Sequence, residues 1–139
     1  MPEKLAQQMR RLPAERVWFS VDGLPAPHFD VVATRLGLRP LGEDWVEVNA
    51  HRAQRFLVAL LRAGLAYGEP RMPEAEAERA ADAFVRSCGT EGTRFATNAS
   101  DVPGGRWFAW SSATDQTFDA GVAILGPTSS ACYWVADED

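Results

Sequence analysis

Two consecutive segments constrain this chain more than any others: "TFDAGVAILG" (117–126) and "SACYWVAD" (130–137). Both alternate as strands do, but 120–125 is mostly apolar in both alternating sets. Ala120, Val122 and Ile124 fall on one side, and Ala123 and Leu125 on the other. Successive side chains of a strand point to opposite faces, so a strand that is apolar on both must be covered on both. Residues 131–135 repeat the pattern, with Cys132 and Trp134 on one face and Tyr133 and Val135 on the other. The short connection "GPTS" joins the two segments as an antiparallel pair.

The periodicity changes along the chain. In the first two thirds it is mainly helical. "PEKLAQQMRRL" puts Leu5, Met9 and Leu12 on one stripe, with Pro13 ending it. "PHFDVVATRLG" aligns Phe29, Val32, Ala33 and Leu36, and Gly37 suits a left-handed cap. Asn49 is placed to cap "AHRAQRFLVALLRAG", where Ala53, Phe56, Leu57, Leu60 and Leu61 form a wide apolar face. "PEAEAERAADAFVRSCG" opens with acids suited to a helix N-terminus and carries Ala77, Ala80, Ala81, Phe84, Val85 and Cys88 on one stripe. Between these, "RVWFSVD" (16–22) and "EDWVEVN" (43–49) alternate as strands, although the core face of the second is ambiguous. From residue 93 the period is two, and "TRFATN", "RWFAWSS", "TFDAGVAILG" and "SACYWVAD" predict a C-terminal four-strand meander. Helices followed by strands indicate a single α+β domain over 1–139, with about four helices packed on a mainly antiparallel sheet.

Charge excludes one class of partner. Residues 1–70 balance at +1 and residues 71–139 at -6, within a net charge of -5. Nucleic-acid binding needs clustered cations against phosphate, so the acidic second half argues against it and is compatible with a basic protein partner. The opening residues have no apolar run of signal-peptide type, and the longest apolar stretch, "FLVALL", is far short of a membrane span. Two cysteines, Cys88 and Cys132, are too few for a disulfide scaffold, so a reduced cytoplasm is the expected location.

No coherent catalytic set stands out. His28 and His51 each begin a helix with no orienting carboxylate in register. Cys88 and Cys132 fall on apolar stripes and lack metal-ligand spacing, so no metal or other cofactor is expected. In "TDQTFDAG" the two carboxylates, Asp115 and Asp119, stand four apart, but the calcium-loop pattern fails and the segment reads first as a turn. "PGGRWFAW" lacks the lysine and the following helix of a phosphate loop. Five tryptophans, Trp18, Trp45, Trp107, Trp110 and Trp134, are to be divided between core and partner surface. The three final acids, Asp137, Glu138 and Asp139, are either a solvated end or an acidic rim beside Trp134.

The segment "FATN…WFAWSSATDQTFDAGVAIL…CYWVADED", spread over residues 95–139, resembles the C-terminal half of small acidic bacterial immunity-type proteins encoded beside secreted toxins. In such proteins an apolar hairpin is commonly followed by a tryptophan and an acidic end. The resemblance implies stoichiometric inhibition of a cognate toxin without catalysis. Clustered carboxylates would speed encounter with a basic partner, and aromatic anchors would hold it. The expected contact residues are Asp101, Trp107, Trp110, Asp115, Asp119, Trp134, Asp137, Glu138 and Asp139. The alternative is a small-molecule-binding or hydrolytic domain, with Asp115, Asp119, Arg106 and His51 meeting between sheet and helices. A third reading is a scaffolding subunit that pairs through a sheet edge, which leaves the oligomeric state open.

Overall fold

The computed structural model describes Leu5, Gln7, Met9 and residues 16–63, 72–103 and 109–137. Five strands build one sheet: β1 (Arg16–Asp22), β2 (Val46–Val48), β3 (Arg94–Thr97), β4 (Phe118–Leu125) and β5 (Ser130–Asp137). Their order is β1-β5-β4-β3-β2, and every pairing is antiparallel. Three helices occur among the described residues: α1 (Phe29–Arg35), α2 (Ala50–Arg62) and α3 (Glu74–Val85). The fourth expected helix, in "PEKLAQQMRRL", falls mostly outside them, although Leu5, Gln7 and Met9 are helical. The α+β class therefore holds.

The doubly apolar hairpin lies inside the sheet, and each of its alternating sets meets a separate core. On one face Ala120, Val122, Ile124, Ala131, Tyr133 and Val135 pack with α2, α3, Leu5 and Met9. The Asn49 side chain accepts a 2.8 Å hydrogen bond from the Arg52 amide and starts α2, whose Phe56, Leu57, Leu60 and Leu61 are buried. The alanines of α3 allow close approach, and Phe84 reaches Phe19 and Tyr133 at ring separations of 5.8 and 6.2 Å. Burying each such large side chain contributes about 1.5–3 kcal/mol.

The opposite face carries Ala123, Leu125, Cys132 and Trp134. α1 covers it with Phe29, Val32 and Ala33, aided by Leu38 and Leu41. Gly37, with φ of 84°, ends this helix in the left-handed region that its Cβ-free backbone tolerates. Leu38 then turns back onto the sheet.

Two expected strands differ. In "EDWVEVN" only Val46–Val48 is a strand, because Gly42–Asp44 forms a 3-10 turn. The ambiguous register is resolved: Val48 packs toward α2 and α3, while Trp45 lies on the α1 face. Residues 106–108 of "RWFAWSS" lie outside the described residues, and 109–112 is not a strand. Asn98, just past β3, supplies the physical reason. Its carbonyl accepts from the Ser111 amide and its side-chain amide donates to the Ser111 carbonyl, both at 2.9 Å, so the side chain takes one of the two bonds a ladder pair would make. Among the described residues, the expected C-terminal meander of four strands shows three, β3, β4 and β5, with β1 and β2 as the sheet edges.

Candidate functional site

Asp119, the second residue of β4, lies on the α1 face, completely buried. A charge removed from water requires donors around it, and the chain provides them from three places. The Ala113 amide donates at 3.0 Å, the Thr114 amide and hydroxyl at 3.2 and 2.9 Å, and the Trp134 indole N–H at 3.0 Å. Asn98 donates to the Asp119 carbonyl at 2.9 Å and accepts from the Gly121 amide at 3.3 Å. This network ties the 111–116 segment to the sheet.

A second carboxylate–indole pair lies on the same face. Trp45 meets Trp134 edge to face at 5.7 Å, and its indole N–H donates to Asp30 at 2.7 Å. Partial burial acts to raise the Asp30 carboxyl. The bonds from Trp45 and the Gly42 amide, the neighbouring His28 and the Leu41 amide outweigh it and hold Asp30 below its ordinary value. His28 accepts from the Asp30 amide at 3.1 Å and so acts as a helix cap.

These arrangements correct several expected contact residues. Asp119 and Trp134 have no exposed surface, so neither is available to a partner: each is the other's hydrogen-bond partner in the core. Asp137 is not part of a solvated tail but belongs to β5 opposite Phe118, with 6% of its surface exposed. Trp110 is half-buried and stacks at 5.3 Å on Phe118. Asp101 and Asp115 are exposed, and Asp115 pairs with Arg39. Trp107, Arg106, Glu138 and Asp139 lie outside the described residues.

The set Asp115, Asp119 and His51 is not brought together. Asp119 is sealed in the α1-side core, Asp115 is on the surface, and His51 lies on α2 across the sheet. Cys132 is fully buried, and desolvation pushes its thiol up to about 12. Among the described residues, no group of three or more His, Cys, Asp or Glu side chains could hold a metal ion. Among them, too, no helix is long and apolar enough to cross a membrane.

Exposed acids gather instead at the β2 edge, which has no further strand partner among the described residues. Glu43 and Asp44 project from the 3-10 turn before β2, and Glu47 lies in the strand. Arg94 grips Glu47 with two hydrogen bonds of 2.9 and 2.7 Å, which hold the Glu47 carboxyl below its ordinary value. Asp44, Val46, Ser100 and Trp110 border a shallow groove of about 220 Å³, and Asp101 follows Ser100. Of the expected residues, Asp101 and Trp110 thus come to one edge. Glu43, Asp44 and Glu47 were not among the expected contacts. The signal that could have found them was three acids in five residues around a strand short enough to be an edge.

No protein-family model, curated protein or solved structure matches the chain.

Proposed function

We propose that this chain is a stoichiometric protein inhibitor of the bacterial immunity type, acting in the cytoplasm on a cognate toxin with a basic surface. The observation that supports this reading is the β2 edge. It places Glu43, Asp44 and Asp101 on the surface around a strand that is the sheet edge among the described residues, with the half-buried Trp110 in the adjoining groove. Carboxylates at the rim accelerate encounter with a cationic partner, and an aromatic group at the centre lengthens the life of the complex. With no outer strand neighbour among the described residues, β2 can accept a partner strand, adding main-chain hydrogen bonds. Inhibition follows from occlusion of the toxin's working surface, with no bond made or broken.

The test is coexpression with a basic effector encoded beside the gene. A one-to-one complex of nanomolar affinity that weakens with salt is expected, and the effector's activity should fall in proportion to complex formed. If no neighbouring effector binds, or if binding ignores both salt and the β2-edge acids, the reading is lost.

A further inference from the structure

We propose that the groove where β1, the end of α1 and the 113–116 segment meet is a binding site for a small planar carboxylate, of the size of one aromatic ring. β1 and β2 are opposite edges of the sheet, so this site is separate from the surface proposed for a protein partner.

The groove encloses about 270 Å³ and is bordered by Arg16, Trp18, Leu36, Arg39, Thr114 and Asp115. In a chain of net charge -5, it draws two guanidinium groups from separate elements against a single carboxylate. Arg16 lies 5.0 Å over the Trp18 ring. Among the described residues it has no ion pair or hydrogen bond, and the half-buried Trp18 indole N–H has no partner either. The ring holds the guanidinium at the groove, and a guanidinium receives a carboxylate through two parallel bonds.

Arg39 is the second guanidinium of the groove. It donates to the Thr114 carbonyl at 3.1 Å and pairs with the carboxylate of Asp115. Asp115 has an 86% exposed side chain that nothing else in the groove confines, yet it sits on the guanidinium. It is a tethered carboxylate on one of the two arginines, while Arg16 has no carboxylate partner among the described residues. Leu36 supplies an apolar wall beside these charges. Ligand pockets for drug-sized molecules run from about 300 Å³ upward, so this smaller volume suits one ring bearing one acid group.

The experiment follows the indole N–H resonances of the full chain by NMR during titration with benzoate, acetate or inorganic phosphate, with Trp18→Phe used to assign the Trp18 signal. Benzoate should produce a saturable Trp18 shift at millimolar concentration or below, and acetate a weaker one. Arg16→Gln should weaken benzoate about tenfold, the size of a lost charge-assisted hydrogen bond. Asp115→Asn, at a site too exposed to threaten folding, should tighten benzoate severalfold by freeing Arg39. Phosphate binding as tightly as benzoate would mean a general anion site and overturn the proposal. So would the absence of a saturable shift, or benzoate affinity unchanged in both variants.

Discussion

Gly121 and Trp134 face each other across β4 and β5, and the six-membered ring of Trp134 occupies the space a side chain on Gly121 would need. A Cβ built there would also run into the Tyr133 carbonyl, a backbone atom that cannot swing away. The glycine is therefore the condition for seating an indole flat on the sheet, where its N–H reaches Asp119. Gly121→Ala should destabilise the fold by about 2–4 kcal/mol, an overpacking penalty with no flexible neighbour to absorb it. Urea denaturation followed by tryptophan fluorescence measures it, and a loss under about 0.5 kcal/mol would show that the ring relocates freely.

Asp115 and Asp119 make a matched pair of predictions. Asp119→Asn places an NH2 group among donors from Ala113, Thr114 and Trp134, leaving buried donors facing one another. A cost of about 3 kcal/mol or more follows, because a buried donor left without an acceptor loses its full solvation. Asp115→Asn breaks only an exposed pair with Arg39 and should stay within about 0.5 kcal/mol of the parent. Parallel denaturation curves decide it, and equal losses for the two variants would refute the division.

Acid should weaken the α1 face through Asp30. Its carboxyl titrates below its ordinary value in the folded chain, so the stability it contributes is present above the unfolded value of about 3.9 and is lost as pH falls through the folded value. Asp30→Asn should cost about 1 kcal/mol at pH 7 by weakening the acceptor for Trp45 and Gly42. The gap between parent and variant should narrow below about pH 4. Unfolding free energies at pH 7 and pH 3 test this, and a gap independent of pH would assign the effect to packing.

The burial of Cys132 gives a chemical readout of the hairpin. A fully buried thiol pushed up to about 12 has almost no thiolate at neutral pH, so thiol reagents reach Cys132 only when β4 and β5 separate. Its labelling rate should follow global unfolding and rise with urea. Rapid modification of Cys132 in native buffer, identified by peptide mapping, would contradict the placement.

Much of this architecture was legible because strand and helix periods report faces directly. "RVWFSVD" and "SACYWVAD" form strands with the limits their alternation indicated, and the apolar stripe of α2 is buried as its spacing implied. Periodicity is silent on what closes over a face. Asp119 and Trp134 share a side of the sheet by simple alternation. Whether that acid meets water or an indole depends on Ala113 and Thr114 folding back over it. "RWFAWSS" alternated as a strand would, but its Ser111 meets the carbonyl and side-chain amide of Asn98 instead of a strand ladder. The β1 groove was equally hidden, since Arg16, Arg39 and Asp115 are far apart in sequence and meet only through the crossing of β1, α1 and the 113–116 segment.

The β2 edge offers the sharpest test of the inhibitor reading, because Glu43 and Asp44, unlike Glu47, have almost no structural duty. Glu43 and Asp44 are exposed in a 3-10 turn, so Glu43→Lys with Asp44→Lys should alter stability by about 0.5 kcal/mol or less per site. Against a basic effector the same pair should slow association about tenfold or more at low salt, since rim charges act mainly on encounter. The difference should vanish near 1 M salt, where the screening length falls to about 3 Å. Glu78→Lys with Glu91→Lys, exposed acids on α3 and in the turn before β3, adds the same four charge units and serves as the control for net charge alone. Stopped-flow association rates for the three proteins separate the cases. If the control slows binding as much as the β2-edge variant, attraction is spread over the whole chain and the edge is not the interface.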